Sequence, residues 1–197
     1  MKHVFVETNF LVSLLRPFPA KDASDLFARN DGVNLRLYIP WCSQAEARRT
    51  LTEIIKADLG FTDTMMEFVR RRWHADRTLF DKREIDKVKA LADEDRRAAI
   101  ATLDQQIANT VARMTRIDPS PDVVARTLRV FTVKALKPFD EMVLGAVLAK
   151  ATELFAAGEH DLVFCELDRD LASQHPPLVN EYAACGLTVL HDFEVPP

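Results

Sequence analysis

The sequence is poor in cysteine, in excess positive charge and in long apolar runs, and each shortage excludes something. Three cysteines (Cys42, Cys165, Cys185) are odd in number and show no CxxC spacing. They outline neither a disulfide framework nor, with the histidines, a zinc site, and they read as reduced thiols of a cytoplasmic protein. Apolar runs are short and broken by charges, so no transmembrane helix is expected. The opening Met1-Lys2-His3-Val4-Phe5-Val6-Glu7 reaches a carboxylate too soon for a signal peptide to be expected. Lysine and arginine total 26 against 30 aspartates and glutamates, a net charge of −4. Any contact with nucleic acid would therefore need a local basic patch or a bridging metal. Internal repeats and low-complexity stretches are absent. Glycine and proline are both missing from Asp63 to Arg116.

What remains is an ordinary globular mix, 48% hydrophobic and 28% charged over 197 residues. That is enough for a single domain with a sizeable core, or one domain carrying an insertion. His3 to Glu7 reads as a buried strand, closed by the polar triplet Glu7-Thr8-Asn9 and followed by an apolar helix from Phe10 that stops before Pro17. Strand, polar turn and helix open a parallel α/β unit. A short helix over Ala23–Arg29 and a strand over Asn34–Ile39 follow. Ser43 with Glu46 three residues later has the form of a capping box, and that helix runs on through Leu51, Ile54 and Ile55. Ile85, Val88 and Leu91, then Ile100, Leu103, Ile107, Val111 and Met114, recur at helical spacing. They predict a helical insertion, with a break near His74–Phe80, closed by Pro119 and Pro121, and a short helix over Val123–Leu128. The α/β pattern then returns. Pro138 suits a first helical turn, Gly158 ends that helix, Leu162–Cys165 is a strand, Asn180–Cys185 is helical up to Gly186, and Leu187–Leu190 is a last strand.

Four acids fall at equivalent places in this pattern. Glu7 and Asp168 follow strands, and Glu46 and Asp140 stand in first helical turns. In an open parallel sheet all of these positions face the edge beyond the carboxyl ends of the strands, where ligands sit. Two carboxylates about 4 Å apart repel by roughly 4 kcal/mol at an effective dielectric near 20. A group of four demands protonation or countercharge. Two divalent cations would balance it, and oxygen-only ligands suit Mg²⁺ or Mn²⁺. Such a pair can activate a water and stabilise the leaving oxygen of an in-line displacement at phosphorus. Each acid also has a plainer reading. Glu46 can serve its capping box, Asp140 its helix dipole, Asp168 and Asp170 a turn, and Glu7 an ion pair with a lysine or arginine.

The same residues resemble the PIN-domain nuclease family. That family opens on a strand followed by Asp-Thr-Asn and an apolar helix, which Val4-Phe5-Val6-Glu7-Thr8-Asn9-Phe10-Leu11-Val12 matches. Its second acid is an early helical glutamate after a strand ending in proline, as in Tyr38-Ile39-Pro40 and then Glu46. Its third begins a helix rich in alanine and leucine, as Asp140 does in Phe139-Asp140-Glu141-Met142-Val143-Leu144-Gly145-Ala146. Its fourth lies in a Thr-x-Asp-x-Asp-Phe-like turn, which Leu167-Asp168-Arg169-Asp170-Leu171 resembles. The likeness covers about 2–56 and 137–190. It implies a three-layer α/β/α fold with a central parallel sheet, here a single domain over 1–197 with a helical insertion at about 63–132 that compact members such as toxins of toxin–antitoxin pairs lack. It further implies a Mg²⁺- or Mn²⁺-dependent ribonuclease in which Glu7, Glu46, Asp140 and Asp168 hold the metals with Asp170 as accessory. Thr8 or Asn9 would steady a metal-binding carboxylate. RNA is the implied substrate, and an antitoxin, another protein or a second copy of the chain are open as partners. Two departures stand out. Glu7 occupies an aspartate position and reaches one methylene further, and Glu166 replaces the threonine of the last motif.

Arg70-Arg71-Arg72-Trp73-His74, with Arg77, is the densest basic cluster. Arginines can grip phosphates while an indole stacks on a base. The alternative is a solvated helix face with Trp73 in the core, since Glu84, Asp86, Asp93, Glu94 and Asp95 dilute the positive field. Two other functions stay open: a PIN-like module that binds RNA or protein without cutting, and a haloacid-dehalogenase-type phosphatase suggested by Asp168-x-Asp170. The phosphatase fits poorly, because its paired aspartates belong after the first strand.

Overall fold

A computed structural model describes residues 1–16, 18–76, 82–133, 136–168, 171 and 176–196. The chain forms two compact units, one of Met1–Ala47 with Ile107–Pro197 and one of Arg48–Gln106. The first unit is α/β. Its sheet contains β1 (Lys2–Val6), β2 (Leu35–Pro40), β3 (Thr115–Ile117), β4 (Leu162–Cys165) and β5 (Leu187–Leu190), in the order β3-β2-β1-β4-β5. All four pairings are parallel. Parallel strands covered on both faces are apolar at consecutive positions. β4 follows that rule as Leu-Val-Phe-Cys with every residue buried, and Val4, Phe5 and Val6 of β1 are fully buried.

The helices of this unit are α1 (Thr8–Leu15), α2 (Lys21–Ala28), the start of α3 (Cys42–Ala75), the end of α4 (Lys82–Val111), α5 (Pro121–Val133), α6 (Pro138–Ala156) and α7 (Pro176–Ala184). α5 and α6 pack together, α6 also contacts β2, β3 and β4, and α7 lies beside β5. Leu144, Val147, Leu148 and Ala151 of α6 join Phe5, Tyr38 and Phe164 in one core. Gly145 permits the close approach of α5, since a Cβ there would lie 2.1 Å from Thr127 Oγ1. Pro138 opens α6, and Gly158, at φ +88°, follows its end in the left-handed region that glycine tolerates.

The second unit takes in α3 from Arg48 to its end and α4 from its start to Gln106. Arg48, near its start, is held by Asp104, near its end, through Nε–Oδ1 at 2.5 Å. α3 continues unbroken through Gly60 to Ala75, since one glycine costs a long helix only about 1 kcal/mol. Two local expectations are revised. α4 stops at Val111 short of Met114, and Thr115–Ile117 is a strand within the stretch predicted to be helical. The capping box at Ser43 does not form either. Ser43 lies inside α3, and its hydroxyl is buried without a hydrogen bond among the described residues. Arg77 of the basic cluster lies outside the described residues.

Candidate functional site

Strand order decides where this sheet offers a site. From β1 the chain winds outward through β2 to β3, then returns to the other side of β1 for β4 and β5. The winding reverses between β1 and β4, and ligands of open α/β sheets bind outside the carboxyl ends of the strands at such a point. In register, Val6 of β1 pairs with Cys165 of β4. The next residue of each strand is a glutamate, Glu7 and Glu166, so two carboxylates leave the sheet side by side at the reversal.

Glu7 is the N-cap of α1, its Oε2 accepting from the Asn9 backbone N–H at 2.9 Å. Its side chain is only 5% exposed, and Oε1 is buried with no hydrogen bond among the described residues. Burial pushes its pKa from 4.5 to about 7, the charges of Glu46 and Asp168 push the same way, and the bonds from Asn9 pull back. Thr8, also buried, donates its hydroxyl to Glu46 Oε2 at 2.5 Å. The expected division of labour is thus split. Asn9 holds Glu7 through its backbone, and Thr8 holds Glu46, which is not needed as a capping glutamate.

Glu166 is 0% exposed. Burial, then the charge of Glu7, then those of Asp168 and Asp140, raise its pKa to about 8. His191 Nδ1, just after β5, lies 3.0 Å from Glu166 Oε1. Asp140 stands in the first turn of α6, and Asp168 follows β4; both are partly exposed. The structure therefore brings Glu7, Glu46, Asp140 and Asp168 within electrostatic reach of one another, directly or through Glu166. Among the described residues, neither Glu7, Glu46 nor Glu166 pairs with a lysine or arginine. Glu166 belongs with the four acids. Its signal in the sequence was its place directly after an apolar strand, the same place that Glu7 holds. Asp170 lies outside the described residues.

The group is open as it stands. Among the described residues, no three Asp, Glu, His or Cys side chains surround a common point closely enough to hold an ion. A cleft of about 630 Å³ lined by Met1, Lys2, Asn34 and Asp161 lies at the amino ends of the strands, away from the acids. The basic cluster belongs to the second unit. Arg71 pairs with Glu67 of its own helix, the Arg72 guanidinium sits 5.8 Å from the Phe68 ring centre, and half-buried Trp73 meets the His74 ring edge-on at 5.0 Å. Arg70 is exposed. Compared with known proteins, the chain matches no protein-family model and no curated protein. No helix among the described residues is long and apolar enough to cross a membrane.

Proposed function

We propose that this chain is a divalent-cation-dependent phosphodiesterase of the PIN type, acting on RNA. The observation that carries the reading is Glu7, a buried carboxylate that, among the described residues, has an unsatisfied oxygen and no basic partner, beside Glu46, Glu166 and Asp168 at the switch point of the sheet. A buried carboxylate that no chain cation neutralises is costly in the charged form. Oxygen donors alone select hard cations such as Mg²⁺ or Mn²⁺, so the donor set and the orphaned oxygen both fit such an ion. On this reading the side chains would draw in around the ion, with the relief of their repulsion as the driving force. Glu7, Glu46, Asp140 and Asp168 would hold the cation, Asn9 fixing Glu7 and Thr8 fixing Glu46. A bound divalent cation acidifies an attacking water and neutralises charge on the leaving oxygen. Arg70, Arg71, Arg72 and Trp73 remain candidates for gripping RNA.

The second reading is a PIN-like module that binds RNA or a protein partner without cleaving. It is favoured by the same open spacing and by the longer side chain of Glu7 in an aspartate position. Single-stranded RNA incubated with the protein in Mn²⁺ separates the two. Cleavage that chelator abolishes and that Asp140→Asn lowers by about two orders of magnitude or more supports the enzyme. Tight RNA binding without cleavage at any metal concentration supports the module, and neither binding nor cleavage rejects both.

A further inference from the structure

We propose that Glu166 and His191 form an additional arm of the cation site, Glu166 as a fifth carboxylate facing the ion and His191 as the residue that positions it. This rests on the cation-dependent reading above and adds a ligand that the four-acid pattern does not contain. Placement comes first. Glu166 leaves β4 next to the point where Glu7 leaves β1, since the residues before them are register partners. The backbone then ties Glu166 to the last strand, its N–H donating to Leu190 O at 3.0 Å. That bond brings the next residue, His191, alongside, and its Nδ1 stands 3.0 Å from Glu166 Oε1.

Burial supplies the second observation. Glu166 is wholly buried, and its neighbour Glu7 is 5% exposed with Oε1 unsatisfied among the described residues. Two adjacent buried carboxylates face one half-exposed imidazole and, among the described residues, no lysine or arginine. A carboxylate held by a neighbouring imidazole is an arrangement by which a nearby residue orients a metal ligand. His191 touches no reacting group in this assignment and acts only through Glu166.

Calorimetric titration of chelator-treated full-length protein with Mn²⁺ tests the proposal, with thermal melting of each variant as the check on folding. Wild type binds. Glu166→Gln and His191→Ala each weaken Mn²⁺ by about tenfold or more, and both lose most of the Mn²⁺-induced rise in melting temperature. His191→Asn, whose amide nitrogen can stand where Nδ1 stood, recovers most of the affinity. If Glu166→Gln and His191→Ala bind as wild type does while Glu7→Gln binds weakly, the pair is structural and this proposal is overturned, with the cation site intact. If the wild type itself takes up no Mn²⁺, the cation reading fails and this inference goes with it. Should His191→Ala not fold, Glu166→Gln and His191→Asn decide the same question.

Discussion

Buried glutamates are treated in opposite ways at two places in the α/β unit. Glu181 of α7 is 6% exposed, and α5 sends it two arginines, Arg126 Nη1 at 3.3 Å from Oε2 and Arg129 Nη2 at 2.9 Å from Oε1. Glu7 and Glu166 are as deeply buried, yet they receive a backbone N–H and an imidazole. Burial raises the pKa of both glutamates at the sheet edge. Among the described residues, the chain thus supplies its own arginines to the glutamate between α5 and α7, and no lysine or arginine to the glutamates at the switch point. On the reading proposed above, the second kind of buried acid is where a cation binds.

The sharpest way to break that contrast is Glu181→Ala. It strands Arg126, whose side chain is 17% exposed, and is expected to lower stability by about 3 kcal/mol or more in urea unfolding, with Mn²⁺ affinity unchanged. An equal effect on Mn²⁺ binding would show that the two places are not separate. Gly145→Ala tests the helix layer on its packing alone. The new methyl would meet Thr127, and a loss of roughly 2–3 kcal/mol is expected, again with Mn²⁺ affinity unchanged.

The sheet edge is tested by pH. Glu7 and Glu166 are raised from 4.5 to about 7 and about 8, so above pH 4.5 the folded protein binds more protons than the unfolded chain. Stability in chelator is therefore expected to fall as pH rises from about 4.5 and to level off above about 8, by several kcal/mol, at about 1.4 kcal/mol for each pH unit by which a pKa is raised. Glu7→Gln is expected to flatten part of that slope and to raise metal-free stability at pH 8. A flat wild-type profile would mean that these carboxylates are already neutralised. The smallest expected effect is that of Thr8→Val, which removes the bond to Glu46. It costs about 1–2 kcal/mol and leaves Glu46 less firmly placed for a cation, visible as a weaker Mn²⁺ response.

Much of this was legible in the sequence where a residue's local signal and its tertiary role agree. Leu162–Cys165 and Leu187–Leu190 are apolar runs between polar turns, and they are strands over the same residues. Pro138 and Gly158 bracket α6 as expected. Thr115–Ile117 was hidden because it has three residues, two of them exposed, and it follows a long helical pattern without a break. Ser43 and Glu46 had the spacing of a cap, but nothing local shows that Thr8, far away in the chain, takes up the glutamate. Glu166 looked ambiguous for the same reason. Its meaning depends on β4 lying beside β1 and on His191 arriving from β5, and both are facts of strand order rather than of spacing.

A crystal soaked in Mn²⁺ and measured near the metal absorption edge tests the missing charge most directly. The expected result is an anomalous peak in contact with Glu7 and at least two of Glu46, Asp140, Glu166 and Asp168, with the side chains drawn in around it. Carboxylates that stay apart with no peak among them, or a Glu7 turned onto an arginine or lysine, would contradict it.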